Sequence, residues 1–242
     1  MILRSLISSL LLLLSLTCAA QEYTFGARGG INTFTIGDIN SRGGSISAGQ
    51  PDELFTPDKD IGYQLGVFLN VEIGKLYFQP EFNYMSSQNT YNFPDSPSKW
   101  TTSKFELPIL IGYKVFDPVS IYVGPVVNFF GDTKLEGVQV TSFSDGGPDH
   151  AKNTFNVNFG VRVKWNRFAA DLRYEMGLSE TTEELLDIIN STYGVNLADL
   201  KAYTPNVLSL SLSVDIFSSD DEDINGFFSG LFKGNGKCYC PY

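Results

Sequence analysis

The sequence has little charge and few reactive side chains. Only 18% of its 242 residues are charged, below the ~25% of an ordinary soluble domain. Lys and Arg number 17 against 27 Asp and Glu, and the net charge of −10 argues against a nucleic-acid partner. Apart from residues 6–16, no apolar run approaches the roughly 18–20 residues of a membrane-spanning helix. The hydrophobic share of 43% argues against intrinsic disorder. The lack of long apolar runs does not argue against a membrane β-barrel, because each strand of such a barrel gives only a weak hydropathy signal.

The N-terminus has the pattern of a secretory signal peptide over residues 1–20. Arg4 precedes the apolar run 6–16, and the small residues Thr17 to Ala20 follow it. Cys18 raises the alternative of a lipoprotein, although the residues before it fit a lipobox poorly. Cleavage after Ala20 leaves the mature chain in an oxidising compartment.

A period of two runs through the mature chain. Every odd-numbered residue of 61–73 is apolar, and the residues between them are mostly polar or glycine. Seven further segments repeat this pattern, at residues 23–31, 76–84, 105–115, 121–129, 155–165, 168–176 and 208–216. Such segments are long for a globular sheet and suit a tilted crossing of a bilayer.

The connections between these segments alternate in length. Three are tight turns, at Gly74-Lys75, Asp117-Pro118 and Asn166-Arg167. The other four are long, at residues 38–60, 86–103, 131–152 and 178–204. The sequence therefore predicts an all-β fold over residues 21–217: an eight-stranded antiparallel transmembrane up-and-down β-barrel with short periplasmic turns and long external loops. We expect it in the outer membrane of a Gram-negative bacterium, with both ends in the periplasm.

Parity assigns equal numbers of opposite charges to the barrel lumen. The basic residues are Arg28, Lys104, Lys114, Arg162, Lys164 and Arg173. The acidic residues are Glu72, Glu81, Glu106, Asp171, Glu175 and Asp215. Because eight strands leave room only for side chains, we expect these charges to pair and close the lumen. A proton or ion path along them is the functional alternative.

Three strand motifs resemble the PorT-like outer-membrane β-barrel family of Bacteroidetes-type bacteria. They are residues 105–114 (FELPILIGYK), 121–125 (IYVGP) and 172–177 (LRYEMG). The resemblance implies an eight-stranded barrel, and its namesake members are accessory parts of a protein-secretion system. It brings no catalytic residues.

The chain departs from that family pattern in a tail over residues 218–242. An acidic run, Asp220-Asp221-Glu222-Asp223, precedes an apolar stripe with helical spacing. The stripe consists of Ile224, Phe227, Phe228, Leu231 and Phe232. A short amphipathic helix there would lie on the inner leaflet or the barrel rim, or would dock into a partner's groove.

Neither the cysteines nor the single histidine indicates a catalytic or metal site. Cys238 and Cys240 give a C-x-C pair, for which we expect a local disulfide; a bond to a partner and free thiols are the alternatives. A structural zinc site would need four ligands. His150 lies in the third loop beside a Gly-rich turn, so a catalytic triad there is disfavoured. We expect no enzyme activity and no cofactor.

The fourth loop carries a helix signal. Thr181 to Glu184 form a capping box before Leu185, Leu186, Ile188 and Ile189. We expect this apolar face to cover the barrel mouth or another protein, and residues 194–203 to continue that cap.

These features together predict a non-enzymatic barrel that works as an accessory subunit of an envelope secretion or assembly complex. Its expected partners are outer-membrane lipid and other envelope proteins. The alternatives are a free-standing structural or ligand-binding barrel and an outer-membrane enzyme acting from the external loops.

Overall fold

Eight long strands form the body of the protein. The computed structural model describes residues 22–42, 53–148 and 153–219. The long strands are Glu22–Phe34 (β1), Gly62–Ile73 (β5), Leu76–Asn92 (β6), Pro97–Phe116 (β7), Val119–Phe130 (β8), Asn153–Trp165 (β10), Phe168–Gly177 (β11) and Val207–Ser218 (β14). Each corresponds to one of the eight segments predicted from the period of two, and only Ile61 of those segments falls outside its strand.

The strands close into a ring by antiparallel pairing. Following the chain, β1 pairs with β5, and the order continues through β6, β7, β8, β10 and β11 to β14. β14 then pairs with β1, from Phe34↔Val207 to Thr24↔Ser218. The predicted eight-stranded antiparallel barrel is therefore confirmed.

The three predicted tight turns are two-residue links at one end of the barrel. Gly74 and Asn166 each begin a turn with a positive φ, 62° and 51°, as tight hairpins require. The Asp117-Pro118 turn joins β7 to β8. We call this end the turn end and the opposite end the loop end.

The prediction of a long loop over residues 86–103 is wrong. β6 and β7 stay paired from Ser86↔Ser103 to Asn92↔Pro97, so only residues 93–96 link them. The outward-facing residues of this extension, such as Gln88 and Thr101, are polar. Because a strand of the barrel is predicted from an apolar outer face, the sequence pattern does not reveal this extension. The strands continue beyond the apolar belt as a polar-faced ribbon.

The remaining loops build a small second sheet at the loop end. It contains β2 (Ile39–Ser41), β3 (Leu54–Phe55), β12 (Glu184–Asp187) and β13 (Leu197–Leu200), in the order β12-β13-β2-β3. Two short strands, β4 (Asp58–Lys59) and β9 (Lys134–Leu135), pair with β6 and β7.

The predicted helix in the fourth loop is wrong as well. Glu184–Asp187 is strand β12, and the helix α1 spans only Asn190–Tyr193. The apolar run pairs with β13, and this long-range pairing overrides the local capping signal. Within the described ranges, no helix has the length and hydropathy needed to cross a membrane.

Large apolar side chains cover the outside of the barrel wall. Leu65, Ile111 and Leu212 are more than half exposed, as are many outward-facing neighbours on other strands. In water such a continuous apolar surface would be strongly unfavourable. This belt fits a lipid environment.

Candidate functional site

The inner face of the wall is polar along most of its length. Arg28 on β1, Glu81 on β6 and Arg173 on β11 alternate with outward apolar residues, so the pleat directs them into the lumen. Each of the three is at most 6% exposed. The candidate site is therefore built from the inward positions of all eight strands.

Glu81 is the centre of the densest group of charges. Its carboxylate accepts hydrogen bonds from Arg28 Nη1 at 2.6 Å and from Arg173 Nη1 and Nη2 at 2.8 and 2.9 Å. Arg162 Nη2 lies 3.8 Å from Oε1. Three guanidinium groups thus converge on one buried carboxylate.

Asp171 is the second acid of this group. It accepts hydrogen bonds from Arg28 Nη2 at 3.2 Å and from Arg162 Nε at 3.3 Å. Tyr122 Oη donates to Asp171 Oδ1 at 2.7 Å and accepts from Arg173 Nε at 3.0 Å. We refer to Arg28, Glu81, Tyr122, Arg162, Asp171 and Arg173 as the central cluster. Its buried charges are stabilised by direct pairing, without which they would be very unfavourable.

A second group, the loop-side cluster of Lys104, Glu106 and Glu175, lies nearer the loop end. Lys104 Nζ is 2.7 Å from Glu106 Oε1 and 2.8 Å from Glu175 Oε2. Asn128 and Asn156 donate to Glu175 Oε1 at 2.7 and 2.6 Å. One ammonium between two carboxylates leaves this cluster with formal net charge −1, which the amide donors help to stabilise.

Two further ion pairs lie at the turn end. Lys114 Nζ donates to Glu72 Oε2, and Lys164 Nζ lies 3.0 Å from Asp215 Oδ2. Lys164 Nζ is also 4.0 Å from Glu72 Oε1. All twelve charges that parity assigned to the lumen thus take part in ion pairs.

At the loop end large apolar side chains join the buried polar residues of the inner face. Phe34, Trp100 and Phe130 pack together, with ring centroids of Phe34 and Trp100 at 5.2 Å. Leu186 and Ile188 of the fourth loop belong to the same cluster and are fully buried. We call this cluster the cap core. Of the predicted apolar face, Leu186 and Ile188 thus cover the barrel mouth, whereas Leu185 is half-buried and Ile189 is exposed.

The cap core extends to segments from several loops. Val195, Leu200 and Tyr203 are members, so residues 194–203 do continue the cap. Tyr203 is buried, and burial raises the pKa of its phenol, which stays protonated. Lys104 Nζ lies 5.5 Å from the Phe130 ring centroid and connects the loop-side cluster to the cap core.

Sequence reasoning identified the lumen charges but missed their uncharged neighbours, such as Asn128 and Asn156 beside Glu175. Tyr122 bonds to two members of the central cluster, Tyr77 lies under Arg162, and Gln79 accepts from Arg162 Nη1. The signal that could have found them is the same parity, applied to polar and aromatic residues as well as to charges.

Several predicted site residues lie outside the described part of the chain. They are Ile224, Phe227, Phe228, Leu231, Phe232, Cys238, Cys240 and His150. The roles assigned to them, and the signal peptide, stay predictions.

The solved structures that match this chain include several outer-membrane proteins. The outer membrane protein OprG from Pseudomonas aeruginosa has a TM-score of 0.45 and 15% identity, over 81% of this chain and 95% of that chain. Neisserial surface protein A (NspA) has a TM-score of 0.38 and 13% identity, over 79% and 96%. The P. putida toluene transporter TodX has a TM-score of 0.29 and 12% identity, over 82% and 59%. No curated protein matches the sequence.

The family assignment comes from the sequence match. A family model described as "Outer membrane protein beta-barrel domain" matches residues 19–183, about two thirds of the chain. The matched range contains seven of the eight barrel strands. The chain therefore belongs to the outer membrane protein beta-barrel domain family, and its place is the outer membrane of a Gram-negative bacterium.

Proposed function

We propose that this barrel is a non-enzymatic accessory subunit of an envelope complex for protein secretion or outer-membrane protein assembly. It belongs, on this proposal, with the PorT-like barrels that its strand motifs resemble. It binds its partners through the C-terminal tail, which starts at the end of β14. That end lies on the same side as the three tight turns, which is the periplasmic side in this proposal.

The observation that carries the proposal is the closure of the barrel before the tail begins. β14 pairs with β1 as far as Ser218, and Ser219 N donates to Tyr23 O at 2.9 Å. Residues 220–242 are therefore not needed to complete the ring. A segment with four acids and five regularly spaced apolar residues is then available for a partner.

The filled lumen favours a function on the surface of the barrel over transport through it. From the turn end to the loop end, the order along β8 is Tyr122 of the central cluster, Asn128 beside the loop-side cluster and Phe130 of the cap core. Paired charges and packed aromatics thus lie in series along the bore. Such an interior suits a scaffold better than a channel.

The tail has the composition of a helix that docks into a groove. Apolar residues at i, i+3, i+4, i+7 and i+8 give one stripe, here with three Phe anchors. Lys233 and Lys237 are its nearest basic residues, so adsorption to an acidic lipid surface is weakly supported. A protein groove is the better partner for this composition.

The test is a pull-down of the tagged native protein in mild detergent, followed by mass spectrometry. Full-length protein is compared with a version that ends at Ser219, which keeps the Tyr23 contact and the complete barrel. We expect a stable set of larger envelope proteins that is lost on truncation. Isolation of both versions alone, or the same partners with both, would refute the docking role.

A pair of full-length variants separates the apolar stripe from the rest of the tail. Phe227→Ser with Phe228→Ser removes two anchors, and we expect it to release the partners as truncation does. Asn225→Ala with Ser229→Ala changes two residues between the anchors and should leave the complex intact. Equal behaviour of the two variants would contradict docking through the stripe.

A further inference from the structure

The lumen opens at the turn end into a cavity of about 250 Å³. Asn70, Glu72, Tyr77, Lys114, Lys164 and Asp215 contribute to its lining. Arg162 and Gln79 line it as well and connect it to the central cluster. The cavity thus has an entrance at the turn end and a floor of paired charges.

Three basic and three acidic residues line the cavity, and Asp117 at its rim is exposed, but within the two ion pairs the lysines are the accessible partners. The side chains of Lys114 and Lys164 are 38% and 37% exposed, whereas those of Glu72 and Asp215 are 9% and 13% exposed. Each ammonium has three N–H donors, and its pairing with a carboxylate leaves donors for a further acceptor. An anionic group can therefore bind at the entrance without displacing the ion pairs.

One buried polar atom of the lining lacks a partner. Asn70 is 5% exposed; its Nδ2 donates to Glu72 Oε1 at 2.9 Å, but its Oδ1 has no hydrogen bond within the described residues. A buried polar atom without a partner is unfavourable, so Asn70 Oδ1 favours a ligand that donates a hydrogen bond to it.

These groups converge on one carboxylate. Asn70, Lys114 and Lys164 all lie within 4.0 Å of Glu72. An acceptor for the lysines and a donor for Asn70 must therefore sit close together in the ligand. A cavity of about 250 Å³ lies below the range of roughly 300–1,000 Å³ that is typical for drug-sized ligands, which favours a small molecule.

We propose that the turn-end cavity binds a small carboxylate that carries a hydroxyl or amino group on the neighbouring carbon. The carboxylate contacts Lys114 and Lys164, and the hydroxyl or amino group donates to Asn70 Oδ1. This ligand site goes beyond the partner-docking role and does not depend on it.

The test is a titration of full-length ¹⁵N-labelled protein in detergent micelles, followed by amide NMR shifts. Lactate and L-serine are the probes, and propionate is the control without the second polar group. Titration to about 50 mM covers millimolar dissociation constants. We expect saturable shifts around the cavity, with about tenfold weaker binding of propionate, the effect of one lost hydrogen bond. Absence of saturation with both probes, or equal binding of propionate, would overturn the proposal.

Variants assign the binding to the named side chains. Lys114→Met with Lys164→Met should weaken lactate binding by about tenfold or more, because two charge-assisted hydrogen bonds are lost. Lys99→Met with Lys134→Met removes the same charge from exposed positions at the loop end and should change nothing. Unchanged binding in the cavity variant would contradict the site.

A second substitution keeps the test decisive if the double lysine variant does not fold. Asn70→Leu leaves both lysines in place and removes the acceptor for the ligand's hydroxyl or amino group. We expect lactate to bind this variant no better than propionate does. If the preference for lactate survives, the assigned orientation is wrong.

The chain itself is a second source of carboxylates, because Asp220-Asp221-Glu222-Asp223 follow directly after Ser219. The titration is therefore repeated on protein that ends at Ser219. Tighter lactate binding after truncation would identify the tail as a competitor for the site, and unchanged binding would leave the site to free molecules. Loss of binding would overturn a site built from barrel residues alone.

The pull-down measures the binding of partner proteins independently of this titration. Failure of the ligand site would therefore not affect the docking proposal.

Discussion

The membrane belt and the loop end of the barrel differ in which face of the strands carries the large apolar side chains. In the belt part of β7, Leu107 and Ile109 face outward while Lys104 and Glu106 are buried inside. Further toward the loop end of the same strand, Thr101 faces outward and Trp100 is buried inside. The period of two is unchanged, but the large apolar side chains move from the outer face to the inner one, where Ser98 and Thr102 are buried beside Trp100.

This reversal shows that the surroundings of the strand decide which face is apolar. Lipid outside the belt gives no reason to bury apolar side chains, so the interior is free to be polar if its charges pair. Water outside the loop end restores the hydrophobic effect, and the cap core forms. The outer face changes from apolar to polar near Ser103 on β7 and Ser86 on β6. These are the first polar outward residues beyond Phe105 and Tyr84.

The largest effect should come from breaking the central cluster. Glu81→Gln keeps the shape but leaves three guanidiniums around a neutral amide, and we expect a loss of about 3–5 kcal/mol in the free energy of unfolding. The measurement is urea unfolding in lipid vesicles. Glu183→Gln, which breaks the exposed 2.6 Å contact with Lys201, should leave the transition unchanged. Equal transitions for the two variants would show that the cluster does not stabilise the barrel.

Removal of a cap-core side chain should have the next largest effect. Leu186 is fully buried, and Leu186→Ala should cost about 2–5 kcal/mol through lost packing. The readout is limited proteolysis, which should cut the loop end faster while the belt stays protected. Leu185→Ala, one residue away and only half-buried, should have a smaller effect. Similar cleavage of both variants would contradict a packed cap.

The belt was predictable from the sequence because its two faces differ most there. Residues 61–73 and their seven counterparts alternate apolar and polar, and this was enough to place all eight strands and the twelve lumen charges. The extension of β6 and β7 was missed because its outward residues, such as Gln88, are polar like those of a loop. The cap strand β12 was missed because its partner β13 comes from ten or more residues later in the chain.

The pairing of the lumen charges was not predictable from parity. Arg28 bonds to Glu81, 53 residues away, and to Asp171, 143 residues away. Which charges meet depends on how the strands are staggered around the barrel, and a face assignment carries no information about stagger.

A pair of charged substitutions on the outer face of β7 tests where the lipid boundary lies. Ile109→Arg places a charge in the apolar belt and should cost about 2–4 kcal/mol if it lies near the bilayer midplane. Thr101→Arg makes a similar change on the same face of the same strand, beyond the belt, and should be nearly neutral. Unfolding in vesicles measures both. Similar costs would mean that the boundary does not fall between these two residues.

The smallest of these effects concerns packing inside the belt. A Cβ at Gly112 would overlap the Tyr77 ring, and one at Gly160 would overlap the Tyr122 ring, so each glycine makes room for an aromatic side chain on the inner wall. Gly112→Ala should therefore destabilise the barrel by about 1–3 kcal/mol through overpacking. Tyr77→Leu in the same chain should recover part of that loss, because the smaller side chain leaves room for the methyl group.

This coupling distinguishes a packed lumen from a loose one. If the costs of Gly112→Ala and Tyr77→Leu simply add, the two positions do not contact each other energetically. A double variant more stable than the sum predicts would show that the Tyr77 ring packs directly against the backbone at Gly112. Close packing at this point of the inner wall would then resemble that of the cap core, although the two regions bury different kinds of side chain.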